Sequence, residues 1–330
     1  MRKLFEIKDG YLVASELETA PISVYTLPDS TEKKQLLDVL GHDVHDLESA
    51  LDPDEISRID LGTEDTYIIW KRPNNISYEQ QLKFEVSSMG IFLQKNQLII
   101  ILGEESPPFS GKEYQKITSL NSIVLKLFLN TVRHFLGHLK AIKQMTVEIQ
   151  AKLNLSMENR YLLQMFSLSE SMTYYLNAIQ SNAGVLAKMR ANAGKIGLSD
   201  EETEMLDDII IDHQQCERQT QIYESVMAGL MDARGTIINN NMNVLLKNLT
   251  IISVVFLPLN LIASIGGMSE FSMMTNRIDW KIAYSLFLLA MVIFGWMIWR
   301  ILNRLNNPKW DIVEKRRKRF LSRQRRRKTI

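Results

Sequence analysis

Residues 282–301 read IAYSLFLLAMVIFGWMIWRI, uncharged until Arg300, and residues 249–268 read LTIISVVFLPLNLIASIGGM, with no charge at all. A hydrocarbon core of ~30 Å needs about 20 apolar residues in helical conformation to cross it. Both stretches meet that length. Two uncharged runs of this size are rare in soluble cores, so the reading is an integral membrane protein with two spans rather than a buried helical hairpin. Trp296 and Trp299 stand at the basic end of the second run, where an amphipathic indole suits a membrane interface.

Charge gives the orientation. Residues 300–330 hold thirteen Lys/Arg against two acids, a net of +11. The whole chain is +1 and residues 247–299 contribute +1, which leaves −11 on residues 1–246. The clusters KRRKR at 315–319 and RRRK at 325–328 lie just beyond the second span, which places the C-terminus in the cytoplasm. Two spans return the chain to the same side, so the large acidic N-terminal part is cytoplasmic too, in the cell (inner or plasma) membrane. Next to a membrane helix, the basic tail fits anionic lipid head groups better than nucleic acid. Cys216 is the single cysteine, which excludes an intrachain disulfide and a cysteine-based zinc site. The first residues, MRKLFE, have neither an apolar signal core nor transit-peptide composition, so nothing is expected to be removed before folding.

Working back from the spans, residues 1–115 read as a mixed α/β cytoplasmic domain. Strand-like runs occur at 11–14, 22–27, 66–71, 82–88, 90–94 and 97–102, the last two as a hairpin turning at Lys95-Asn96, with helices near 31–40 and 45–51. Residues 103–111, with Pro107-Pro108, are a break. Residues 116–248 read as long cytoplasmic helices: 117–155, 157–193, and a third beginning at Ser199-Asp200-Glu201-Glu202, a capping-box start. No proline follows until Pro258, so the third helix runs into the span; at 1.5 Å per residue, ~65–70 residues give about 100 Å. A helix that long needs neighbours, which points to an oligomer with a helix bundle at its axis. The remaining divisions are the first span at 249–268, an external loop at 269–281, the second span at 282–301 and the tail at 302–330.

At 100° per residue, Thr250, Ser253, Asn260 and Ser264 fall within an arc of about 80°, and Leu257 shares it. Asn243 and Asp232, extrapolated backwards, lie within about 20° of Thr250. Polar residues in a membrane helix face protein or water. Two readings stand: hydrogen-bonding glue between helices, or the wall of a water-filled conduit around an axis shared by several copies. Uncharged hydroxyls and amides suit a cation that keeps its water shell, as Mg²⁺ does, and Leu257 would be a constriction that gates by dewetting.

The residues Asn239-Asn240-Asn241-Met242-Asn243, Lys247-Asn248-Leu249-Thr250, Pro258-Leu259 and Gly266-Gly267-Met268, with Leu230-Met231-Asp232 upstream, resemble the CorA superfamily of divalent-cation transporters. The likeness is strong over roughly residues 207–301 and architectural before them. It implies a homopentameric funnel whose α/β domains hang from long helices, with Asp232 at the funnel's membrane end. Asn243, Leu249, Leu257, Asn260 and Ser264 would line the pore, and Gly267, Met268 and Ser269 would form its outer mouth. It also implies Mg²⁺ both as substrate and as a regulatory ligand between cytoplasmic domains. Asp208 matches a regulatory position on the long helix, with an acidic partner only loosely placed in the 43–65 region.

Departures from the family pattern are concentrated at the mouth. Ser269 stands where the Gly-Met-Asn signature has Asn, Gly266 stands where an aromatic is usual, and Met273-Met274-Thr275 replaces the Met-Pro-Glu loop. Glu270 would supply a negative ring there. A ZntB-like branch also departs at this Asn and handles zinc, so Zn²⁺, with or without proton coupling, is the alternative to Mg²⁺, and Co²⁺ is possible in the same chemistry. A non-conducting membrane-tethered metal sensor or scaffold is the reading from another class. His134 and His138 have i, i+4 spacing but no following Glu, which favours a structural pair; His42 and His45 flank Asp43 as weak sensing candidates. No phosphate-binding loop, nucleophile elbow or catalytic carboxylate pair is recognisable, so neither an enzyme nor a prosthetic group is expected.

Overall fold

Residues 98–102, LIIIL, form the strand on which the sheet is built: every one of the five is buried. A strand buried on both faces reads as a continuous apolar run rather than an alternation. In the computed structural model, which describes residues 1–40, 44–62, 65–74, 83–105, 109, 114–155, 159–274 and 276–306, seven strands share one sheet. They are β1 (Arg2–Lys8), β2 (Tyr11–Ser15), β3 (Ile22–Thr26), β4 (Arg58–Leu61), β5 (Asp65–Pro73), β6 (Val86–Gln94) and β7 (Leu98–Leu102). Their spatial order is β2-β1-β3-β7-β6-β5-β4. All neighbours are antiparallel except β3 and β7.

Alternation sorts the side chains into two layers. Ile22, Val24, Ile68, Trp70, Ile91, Leu98, Ile100 and Leu102 face one way. They pack with Phe128 of α3 (Leu120–Leu155), Leu186 of α4 (Asn159–Ala191), and Leu206 and Ile209 of α6 (Asp200–Gly266). Tyr25, Tyr67, Ile69, Phe92, Ile99 and Ile101 face the other way, onto Leu36 of α1 (Ser30–Leu40) and Leu47 of α2 (Val44–Leu51). Sheet and helices thus make one compact unit, Met1–Asp232.

Three details depart from the sequence reading. The break expected at Met89 is absent: β6 runs unbroken through Gly90, where a Cβ would lie 2.5 Å from that of Ala50, so the glycine admits α2 against the sheet. Two strands, β1 and β4, were not anticipated. The first pairs with β2 across Asp9-Gly10, both at positive φ (51° and 78°), a two-residue hairpin turn of the kind Asp-Gly favours. The expected hairpin at Lys95-Asn96 is present, with the Gln94 amide donating to the Gln97 carbonyl at 2.8 Å.

The long helices follow. After α4 comes a short α5 (Ala193–Ile196), capped by Gly197 at φ 78°. The capping box of α6 then closes: the Ser199 amide donates to Glu202 Oε2 at 2.9 Å and the Glu202 amide to Ser199 Oγ at 3.2 Å. Glu202 also accepts from Ser119 Oγ, which ties the start of α6 to the residue preceding α3. A second core among α3, α4 and α6 gathers Phe135, Leu139, Met172, Tyr175, Cys216 and Met227.

The second unit, from Ala233 onward, holds the remainder of α6, a short α7 (Ser269–Met274) and α8 (Trp280–Asn306). Both α6 and α8 contain windows long and apolar enough to cross a membrane. The connection expected as loop over 269–281 carries α7 within it. The Gly266-Gly267 pair ends α6 in a tightened turn, where the Gly267 amide approaches the carbonyls of Ala263 (3.1 Å) and Ser264 (3.2 Å) and the chain restarts at Ser269. The basic tail beyond residue 306, and His42 and Asp43, lie outside the described residues.

Candidate ion-conduction pathway

Pro258 cannot donate a backbone hydrogen bond, yet α6 continues through it to Gly266. Around it the half-buried or buried residues are Ile251, Val255, Pro258, Leu259, Ile262 and Gly266, spaced by four, three, one, three and four. On α8 they are Ala283, Phe287, Met291, Phe294, Gly295, Ile298 and Leu302, with the same helical spacing. Two close approaches place these faces together: a Cβ at Gly266 would meet the Phe287 ring at 2.5 Å, and one at Gly295 would meet Leu259 at 3.3 Å. The two helices are therefore antiparallel, and α8 returns the chain toward the side from which α6 came.

The polar set lies opposite. By helical pitch, the centre of the face packed on α8 is about 170° from the centre of the Thr250, Ser253, Leu257, Asn260 and Ser264 arc. All five are exposed within the chain, Leu257 at 71%, as are Asn243 and Leu249. Thr250 Oγ1 donates to the Leu246 carbonyl at 2.8 Å, a bond within its own helix that leaves the outer face of the hydroxyl open to accept. Among the described residues, the hydroxyls of Ser253 and Ser264 and the amide of Asn260 make no bond to α8. The helix-glue reading within one chain thus has no support from the described residues, which leave this face of α6 exposed.

At the end of α6, Gly267 and Met268 are exposed and Ser269 opens α7. Glu270 lies in α7, with its side chain outside the described residues. Asp232, exposed, is the last residue of the first unit.

The cytoplasmic candidates divide sharply. Asp207 is held by Arg190 in a two-pronged pair at 2.6 and 3.0 Å, which lowers the carboxyl's pKa. Asp208, next to it, is exposed. Much of the acidic neighbourhood considered as its partner is already engaged, since Arg58 gathers Glu55 (2.9 Å), Asp60 (3.3 Å) and Asp46 (3.4 Å). Among the described residues no three His, Cys, Asp or Glu side chains come together as a metal site. His134 and His138 meet edge-to-face with ring centroids 4.4 Å apart, and His138 Nδ1 pairs with the Tyr175 hydroxyl at 2.6 Å; burial pulls the His138 pKa down to about 4, which marks a neutral structural ring. His45 Nδ1 lies 3.4 Å from Ser49 Oγ on the same helix. Sequence reasoning singled out neither Phe287 nor Gly295; small residues in a span at positions facing a neighbour were the available signal.

With this geometry in view, similarity to known proteins is informative. The sequence profile of the CorA-like Mg²⁺ transporter proteins matches residues 24–304. The cobalt/magnesium transport protein CorA of Methanocaldococcus jannaschii is 24% identical over 279 residues, which cover 79% of this chain and 86% of that one. The complete structure of the CorA magnesium transporter from the same organism has the same fold, with a TM-score of 0.71 at 19% identity over 92% of this chain and 96% of that one. The cytoplasmic domain of ZntB from Vibrio parahaemolyticus matches at a TM-score of 0.57 and 10% identity, over 72% of this chain and 98% of that one. The profile match runs through sheet, long helices and both spans: the chain belongs to the CorA-like Mg²⁺ transporter proteins, a family of divalent-cation transporters of the membrane.

Proposed function

We propose that copies of this chain, five in the arrangement the family resemblance implies, set the polar face of α6 around a common axis and conduct Mg²⁺ into the cytoplasm. The observation that carries this reading is the position of α8, which covers the face of α6 opposite Thr250, Ser253, Leu257, Asn260 and Ser264. A membrane helix that turns its hydroxyls and amide away from its own partner requires water or another copy on that side.

Such a wall serves an ion that keeps its hydration shell, because Ser, Thr and Asn hydrogen-bond the bound waters without replacing them. Gly267, Met268 and Ser269 form the outer mouth, with Glu270 drawing cations to it. Leu257, and Leu249 about two turns before it, narrow the path with apolar rings that pass water only when widened. Asn243 and Asp232 continue the same helical face toward the cytoplasm. The membrane potential favours inward movement of a 2+ ion by about 4.6 kcal/mol at 100 mV. Asp208 is the regulatory ligand: exposed, and with no metal-binding cluster around it among the described residues, it binds cytoplasmic Mg²⁺ together with an acid from a neighbouring copy, and bound metal favours closure. The termini are cytoplasmic, and the basic tail rests on anionic head groups.

A second reading, Zn²⁺ with or without proton coupling, is favoured by Ser269, because a ring of hydroxyls is shorter than a ring of amide carbonyls and grips a hydrated ion less closely.

Cysteine accessibility tests the pathway. Cysteines placed singly at Ser253, Asn260 and Ser264 should react with a membrane-impermeant thiol reagent and block flux. A cysteine at Ile262, on the covered face, should do neither. Equal labelling at 260 and 262 would refute the assignment of the polar face to the conduit.

A further inference from the structure

Among the described residues of the second unit, Gly266 alone is buried. A Cβ there would sit 2.5 Å from Cζ, 2.8 Å from Cε1 and 3.2 Å from Cε2 of Phe287, so the aromatic ring of α8 occupies the volume that a side chain at 266 would need. The reverse arrangement stands further down the pair, where Leu259 of α6 lies over Gly295 of α8 at 3.3 Å. Each helix thus offers one large side chain and one glycine to the other. Seven residues separate the contacts on α6 and eight on α8, about 11 Å along the axes at helical rise. Two such contacts fix both the rotation and the longitudinal register of α6 against α8, which a single contact would not.

The upper contact is also where α6 ends. The next residues are Gly267, Met268 and Ser269, and the Gly267 amide closes the last turn on Ala263 and Ser264. The height and rotation at which the helix stops are therefore set by a ring that belongs to the other span. We propose that Phe287 is a positioning residue for ion selection: it touches no ion, and through Gly266 it holds the backbone of the mouth at a fixed distance from the conduction axis. This rests on the reading of residues 267–269 as the mouth. Packing that served only to join the spans would alter assembly and total flux together, and would leave the ratio of ions passed unchanged.

The test uses the full chain in liposomes as four proteins: wild type, Gly266→Ala, Phe287→Ala and the double variant. Mg²⁺ and Co²⁺ influx are read alongside oligomer size and Tm. The added methyl of Gly266→Ala overpacks the ring and should shift the Mg²⁺:Co²⁺ influx ratio by about tenfold, the scale that overpacking strain produces. Phe287→Ala should shift it too, by leaving the mouth without its stop. The double variant, in which the methyl has room but the ring is still missing, should match Phe287→Ala to within about twofold rather than add the two shifts, as coupled neighbours do. A wild-type ratio in correctly assembled Gly266→Ala or Phe287→Ala, or a double variant whose shift is the sum of the two single ones, would overturn the proposal. Wild-type protein that passes neither ion would overturn the transport reading and this role with it; coupling between the two sites in Tm would then mark the contact as structural only.

Discussion

Asn182 on α4 stands in for a missing strand beside Lys71 on β5. Its Oδ1 accepts from the Lys71 amide at 3.0 Å, its Nδ2 donates to the Lys71 carbonyl at 2.8 Å, and Oδ1 accepts again from Ser57 Oγ at 2.7 Å. The partner strand β4 pairs with β5 only as far as Ile69, so without Asn182 the outward-facing peptide groups of Lys71 would be buried with no partner. Asn182 itself is fully buried.

Asn182→Ala should therefore destabilise the first unit by about 3 kcal/mol, since it orphans a buried amide, a carbonyl and a hydroxyl together. Denaturant unfolding of the detergent-solubilised chain measures this. A loss under about 0.5 kcal/mol, the range of an ordinary surface substitution, would show that water satisfies the strand edge instead.

His213, on α6, is buried to 3% exposure, and burial lowers its pKa to about 4 from the ordinary 6.5. Between those two values the unfolded chain holds a proton that the folded chain does not. Stability is thus unaffected by this ring above pH 6.5, falls as the pH drops through 6.5, and stops falling near pH 4, for a total of about 3 kcal/mol. At pH 5 the cost is about 2 kcal/mol relative to pH 7. His213→Leu should remove that part of the acid sensitivity, measured as the change in unfolding free energy between pH 7 and pH 5. An unchanged pH slope would show that the ring is hydrated in the folded state.

Cys216 lies in the core among α3, α4 and α6 at 1% exposure, and burial pushes its thiol pKa up to about 12. The folded protein should resist maleimide at neutral pH and react only as the helices open, so the labelling rate should rise in step with unfolding in a denaturant series. Rapid labelling without denaturant would show that the three-helix core opens locally.

Asp208→Ala should weaken metal-dependent closure, because the exposed carboxylate has no metal-binding cluster to replace it among the described residues. Limited proteolysis with and without Mg²⁺ checks it: wild type should be protected by the metal and the variant should lose most of that protection while remaining assembled. Equal protection of both proteins would remove Asp208 from the regulatory site.

Much of this architecture was readable from the sequence because the signals are periodic and local. The LIIIL run, the Lys95-Asn96 turn and the Ser199/Glu202 capping box each specify one structure. The β1–β2 hairpin went unread because RKLFEIK mixes charged and apolar residues in a half-exposed pair near the sheet edge; the informative feature was Asp9-Gly10, whose left-handed conformations make the turn. At β4, the four residues RIDL are too few for a period to show. In the spans, 100° spacing was enough to gather the polar residues on one arc. The face taken by α8 was not legible, since it depends on Gly266 and Gly295 acting as seats for Phe287 and Leu259, and in sequence a glycine there reads only as a helix end or a weak point. Arg58 likewise engages acids that, in sequence, look equally free to bind a metal.

The measurement that bears most directly on the central claim is divalent-cation influx into liposomes carrying the purified, assembled chain, compared between wild type and Asn260→Leu. Mg²⁺- and Zn²⁺-sensitive dyes are read with and without a proton gradient. The account predicts wild-type Mg²⁺ influx that needs no proton gradient and falls at least about tenfold when the leucine removes the amide from the polar face, a loss of ~1.4 kcal/mol or more. Wild-type protein that passes neither ion, or Asn260→Leu that conducts as wild type does, would contradict the claim that this face of α6 is the pathway.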